Sequence, residues 1–218
     1  MNYSFHKINK SVRTNPYGIA IVRPWVRRFL VVGHRASTDP GFPLDDLAGS
    51  AGRIDILLNA ANAALLLAHG IRRDSEIGLL LLGPPTPPRF VRLVGFRLKS
   101  YQPDIRSNAS LIRQTLVDAS RVEHEFSPGV YGSIATFPEA LDRLGPTFVA
   151  LREGGKDIRQ AALPADATFV LSDSQELAAD EEGCLRDRGA LAVGLGPVAL
   201  HTDHAIAIVH NELDRRGA

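Results

Sequence analysis

The stretch ALAVGLGPVALHTDHAIAIVHNELDRR, residues 190–216, decides how the rest of the chain is read. Leu191, Val193 and Leu195 make a short apolar run that breaks at Gly194, Gly196 and Pro197. Ala205, Ile206, Val209 and Leu213 then recur at helical spacing, so the order is strand, tight loop, helix. Glycines at such a junction bring backbone close to a flat or anionic ligand, because no Cβ intervenes. The same pattern also serves as a plain connection, so on these residues alone the loop is either a cofactor cradle or a turn without a ligand.

Upstream, strand and helix patterns alternate. Strands are expected at 28–34, 76–83, 90–96, 147–151 and 168–171, with the run EIGLLLLG (76–83) reading as a strand buried on both faces. A helix opens near Gly52 with Ser50 as its N-cap, carries Ile54, Leu57, Leu58, Ala61, Leu65 and Ala68 on one face, and stops at Gly70. Further helices are expected at 104–119, from Pro138 to Gly145, and weakly over 175–188, with a turn at Gly154 and Gly155. This alternation predicts an α/β fold with a mostly parallel sheet and helices on both faces.

A chain of 218 residues suffices for one such domain, and 44% hydrophobic with 22% charged residues is the composition of a globular protein. Residues 1–26 lack a sustained period and read as an extension ahead of a domain at 27–218. Net charge is only +1, yet Lys7, Lys10, Arg13, Arg23, Arg27, Arg28 and Arg35 all precede the first acid, Asp39. That basic start suits either a phosphate backbone or plain solvation. The single cysteine, Cys184, excludes an internal disulfide and fits a reducing compartment. No leader pattern opens the chain, and the apolar run 54–69 carries Asp55, Asn59 and Asn62, so a cytoplasmic protein without membrane spans is expected.

Three polar groupings stand out. His201, Asp203 and His204 could offer metal ligands, or else His201 and Thr202 cap the last helix while His204 and His210 pack beside the sheet; no metal is expected. Arg53 and Asp55 follow GSAG at a helix start, where backbone N–H groups favour anions. Arg72 and Arg73 stand together between helix and strand, where they grip phosphate or solvate a helix end. G-x-S-x-G, P-loop and paired C-x-x-C motifs are missing from the sequence.

Taken together, DLAGSAGRIDILL (46–58), HGIRRD (69–74), GPPTPPRFVRLVG (83–95), QPDIR (102–106), SPGVY (127–131) and LGPVALHTDHAIAIVHNELD (195–214) resemble the SPOUT-class pseudouridine N1-methyltransferases that act on the tRNA T-loop in archaea, with bacterial relatives. The resemblance covers about 27–216. It implies a C-terminal trefoil knot, a homodimer, and S-adenosylmethionine (SAM) held by backbone groups at Leu151, Ser172, Leu195, Gly196, Pro197, Val198, Ala199, Leu200 and Ala205. It also implies Asp55 orienting or deprotonating the base and Arg53 binding its carbonyls or a phosphate, with Arg72, Arg73, Asp104, Arg106 and Tyr131 shaping the RNA side. Archaeal members usually carry Gly at Ser172 and Cys at Ala205, which turns the expectation toward the bacterial branch. A ribosomal RNA target, or an RNA-binding protein without catalysis, are the alternatives that the resemblance leaves.

Overall fold

In a β-strand successive side chains point to opposite faces, and here both faces are claimed by apolar partners. The computed structural model describes residues 12–14, 20–22 and 26–217, with side chains from 26 onward. The first half comprises β1 (Val12–Thr14), β2 (Ala20–Val22), β3 (Arg27–Gly33), α1 (Ile54–Leu65), β4 (Leu66–Leu67), β5 (Gly70–Ile71), β6 (Ser75–Leu81), β7 (Arg89–Val94) and α2 (Ile105–Leu116). There follow β8 (His124–Ser127), β9 (Val130–Ser133), α3 (Phe137–Leu144), β10 (Thr147–Asp157), β11 (Ala167–Ser172), α4 (Ala179–Asp187), β12 (Leu191–Gly194) and α5 (Thr202–Arg216).

One eight-stranded sheet runs in the order β12-β10-β11-β3-β6-β7-β9-β8. Its first five strands are parallel, and β7, β9 and β8 are antiparallel. Phe29 and Val31 of β3, Ile77 and Leu79 of β6, and Phe169 and Leu171 of β11 pack under α1, α2 and α5. The alternate residues Leu30, Val32, Leu80 and Val170 pack against α3 and Leu185 of α4. Every residue of β3 and β6 is buried, which is why the body of β6 reads as a continuous apolar run.

Several boundaries depart from the sequence reading. Ser50 does not cap α1: it donates its N–H and Oγ to Asp46 at 2.8 and 2.5 Å, and Arg53 holds the N-cap position. The helix stops at Leu65 instead of Gly70, because Leu66–Leu67 turn back to pair with Gly70–Ile71. Phe96 leaves the β7 strand for a turn in which Arg97 N–H bonds Val94 O at 2.9 Å. Gly154 and Gly155 do not end β10; the strand swells there, with Leu151 and Lys156 both opposite Val193. β8 carried no alternation to announce it. The expected extension falls on residues that mostly lie outside those described; β1 and β2 within it pair antiparallel.

Helix α5 lies on α1 and buries His210, whereas His204, expected to pack, is 65% exposed. Arg27 donates to Nδ1 of His210 at 3.4 Å, so Nε2–H donates to Ala64 O at 3.1 Å and the ring is neutral. Burial, with Arg72 and Arg27 nearby, pushes its pKa down to about 3. A depressed pKa contributes stability above the unfolded value near 6.5, lost as pH falls toward the folded one. The protein is therefore expected to lose about 2 kcal/mol of stability between pH 6.5 and pH 5, at about 1.4 kcal/mol per unit. Thermal melts of His210→Gln should show a lower midpoint at neutral pH and a flatter dependence across that window.

Candidate functional site

Since the central parallel strands β3, β6 and β11 are buried along nearly their whole length, chemistry is confined to their ends. The connection after β10 packs through Ile158 and Ala161 on the α1 and α5 face of the sheet, and that after the neighbouring β11 leads to α4 on the other. Such a reversal opens a crevice at the carboxyl ends of the strands. A cleft of about 450 Å³ lies there, between the ends of β10, β11 and β12 and the start of α5. Leu151, Ser172, Leu195, Gly196, Val198, Ala199, Leu200 and Ala205 all line it; Pro197 shares the loop without forming a wall.

The cleft has two characters. Leu151, Leu171, Leu195, Val198 and Leu200 give it apolar wall, and Glu153, Asp173, Glu176 and Glu182 give it carboxylates, of which Glu182 is paired with Arg152 on the same lining. Thr202 at the start of α5 donates to Ser172 O at 2.8 Å and so ties the last helix to the end of β11. Among the described residues, no turn or loop hydrogen bond uses the backbone of residues 195–200. Those amides and carbonyls stay open to a ligand edge. Gly196 has φ 143° and nothing within 4 Å of where a Cβ would stand, so the loop approaches the cleft with bare backbone. A flat heteroaromatic ring with a cationic tail fits this division.

Arg53 and Asp55 stand beside it. Gly52 and Arg53 have φ of 64° and 66°, two successive residues in the left-handed region. For arginine this costs about 1 kcal/mol and marks a conformation imposed by its surroundings. A Cβ on Gly52 would come within 1.8 Å of Arg35 O. The turn aims the guanidinium at Asp55, Nε to Oδ1 at 3.0 Å and Nη2 to Oδ2 at 3.1 Å. The Asp55 hydrogen bonds and charge raise the Arg53 pKa, and Asp173 adds to them through space, which links the pair to the cleft wall.

The RNA-side expectations scatter. Arg72 is held by both oxygens of Asp214 at 3.1 Å, and Arg73 donates to Gly95 O at 2.9 Å and to Leu98 O. Both adjoin the amino end of β6, seven residues and so about 20 Å from the carboxyl edge, where Arg72 ties α5 to the sheet and Arg73 holds the turn after β7. Asp104 caps α2, accepting from Ser107 N–H at 2.9 Å and Oγ at 2.7 Å, with Arg106 exposed beside it. Tyr131 lies on β9 with the Arg92 guanidinium 4.8 Å over its ring, four strands from β11. His201 and His204 meet edge to face at 5.7 Å, and no three side chains among the described residues are placed to hold a metal.

Sequence reasoning missed a further group. His34, just past β3, contacts Asp173 Oδ1 at 3.3 Å through Nδ1 and Glu181 Oε2 at 3.0 Å through Nε2. Its signal was present in hindsight as a polar residue directly following each of two adjacent central strands, which becomes visible only once the strands are known to be neighbours.

A cleft at a strand-order reversal, lined by unpaired backbone, defines an α/β protein that takes a nucleotide-like ligand. The family described as "Putative SAM-dependent RNA methyltransferase" matches residues 26–218. A Methanocella arvoryzae protein named tRNA (pseudouridine(54)-N(1))-methyltransferase is 46% identical over 193 residues, covering 88% of this chain and all of the relative. A Methanosarcina mazei protein of the same name is 40% identical, over 88% of this chain and 93% of its own. Among solved structures, Archaeoglobus fulgidus Nep1 bound to S-adenosylhomocysteine aligns with a TM-score of 0.60 at 14% identity, over 89% of this chain and 100% of that one, which is a likeness of fold. The chain belongs to the SAM-dependent RNA methyltransferase family.

The turn that aims Arg53 leads to a sharp contrast between two glycines. Gly52→Ala should cost at least about 3 kcal/mol, through the clash with Arg35 O and the left-handed backbone. Gly70→Ala, with nothing within 4 Å, should stay within about 0.5 kcal/mol in denaturant unfolding.

Proposed function

We propose that this chain transfers the methyl group of SAM to N1 of a pseudouridine in the tRNA T-loop. The observation that carries the reading is the open-backbone cleft standing next to the Arg53–Asp55 pair. The names of the relatives supply the base and the RNA. Bound in the cleft, SAM supplies a methyl group already activated on a sulfonium. The apolar walls and the backbone of 195–200 would hold the adenine, and the carboxylates of Glu153 and Glu176 would meet the cationic tail.

N1–H of pseudouridine is a weak acid, so the nitrogen attacks well only when that proton has an acceptor. Asp55 provides one: Arg53 fixes its carboxylate from one side and leaves lone pairs of both oxygens for the ring N–H. Arg53 in turn meets a carbonyl of the base or an adjacent phosphate. Holding donor and base in line accounts for most of the acceleration. On the RNA side, exposed Arg106 and the Tyr131 ring offer charge and stacking, with Lys7, Lys10, Arg13 and Arg23 of the extension following the backbone further out.

A homodimer, a knotted C-terminal segment and a place in the cytoplasm complete this reading. Val198 and Ile208, 69% and 37% exposed, give the last loop and α5 an apolar surface suited to a second copy. No helix among the described residues is long and apolar enough to cross a membrane.

Calorimetric titration with SAM should show saturable binding that Gly196→Trp abolishes, since the indole would fill the cleft. Asp55→Asn should keep donor affinity and lose at least about 100-fold in kcat on tRNA carrying unmethylated pseudouridine. Full activity in that variant would remove Asp55 from the mechanism.

A further inference from the structure

His34 does not line the cleft, yet it joins the two ends of one of its walls. That wall is the segment 173–177, of which Asp173, Ser174, Gln175, Glu176 and Leu177 all face the cavity. At its start, Asp173 takes the His34 backbone N–H at 2.9 Å and the ring Nδ1 at 3.3 Å. At its finish, Glu181 takes ring Nε2 at 3.0 Å while accepting the Ala178 N–H at 2.8 Å with the same oxygen. The imidazole therefore spans the wall as a strut from the end of β11 to the first turn of α4. With both ring nitrogens against carboxylates, only the doubly protonated ring donates to each.

We propose that His34 is a positioning residue whose imidazolium holds segment 173–178 in the donor-binding shape, so that loss of one proton at a group remote from the ligand weakens SAM binding. The inference rests on the donor occupying the cleft.

The two charges that touch the ring are both negative. Asp173 and Glu181 are 1% and 7% exposed in their side chains and face it directly. Arg53, from the turn before α1, acts on Asp173 through space, and Glu182 beside Glu181 is turned to Arg152. Burial disfavours the imidazolium, but the hydrogen bonds and charges of Glu181 and Asp173 outweigh it and raise the ring pKa above its ordinary 6.5. A raised pKa means that the strut is complete below about pH 6.5 and is lost as pH climbs through the folded value. Losing it leaves two buried carboxylates facing one neutral ring, and one of the two contacts must break.

Binding of S-adenosylhomocysteine is measured between pH 6 and pH 9, alongside 5′-methylthioadenosine, which does not titrate in that range. Both ligands should bind about tenfold more weakly at pH 9 than at pH 6, an amount equal to one pKa unit of coupling. In His34→Gln that dependence should vanish, with affinity fixed near the weak limit. Glu181→Gln should move the midpoint of the wild-type curve to lower pH, a shift that mere loss of packing does not produce, and this readout stands even if His34→Gln does not fold. The protection of amides 173–178 in the free protein, taken relative to the intrinsic exchange rate at each pH, should fall over the same midpoint. Wild-type binding without pH dependence would overturn the strut alone. A dependence surviving in His34→Gln, or affinity rising as the ring loses its charge, would overturn it too. No binding of either ligand at any pH would overturn both the strut and the donor reading beneath it.

Discussion

Burial of the parallel strands on both faces is the constraint from which the rest follows. A strand that gives alternate residues to two cores has no position left for a polar group, so β3, β6 and β11 carry none in their middles. Polar chemistry is displaced to the two rims of the sheet, and the rims have divided the work. The carboxyl rim holds the cleft, the Arg53–Asp55 pair and His34. The amino rim holds charges spent on architecture: Arg28 donates to Glu76 at 2.7 Å and also to Asp166, and Arg92 joins Glu76 at 3.4 Å to Glu123 at 2.5 Å. Removing one partner from such a buried network strands the others, which makes it costly to break even where its net stabilisation is small.

That division explains how much could be read from the residues alone. The continuous apolar run over 76–83, the glycine break after β12 and the helical spacing through Leu213 announced the sheet and its last helix, because burial writes directly into residue type. The resemblance then brought the cofactor-loop positions into view. Eight of those nine residues share one cleft though they come from three separate parts of the chain, an arrangement set by strand order and invisible to any local pattern. Arg72 and Arg73 stayed ambiguous for the same reason: an arginine pair looks alike whether it meets phosphate or groups of its own chain, and its partners show only once the strands are in place. His34 was silent because its partners lie about 140 residues downstream.

Boundaries failed where side chains compete with backbone. Asp46 takes the amides of Gly49 and Ser50, and so converts an expected N-cap into part of a preceding turn. The helix start is thereby delayed to Ile54, and Arg53 is placed in the conformation that points it at Asp55. A short aspartate turn thus sets the geometry of a pair nine residues away.

The swelling in β10 has a wider meaning for how such a protein can vary. The strand leaves its partner at Leu151 and returns at Lys156 to the same residue, Val193, so the sheet does not register how many residues lie in between. Arg152 and Glu153, carried on that excursion, form a lip of the cleft. Lip and lattice are mechanically insulated: residues could be added or removed there to deepen or narrow the mouth while every strand keeps its neighbours. The architecture has in this way left one edge of its ligand site free to change length without renegotiating the fold.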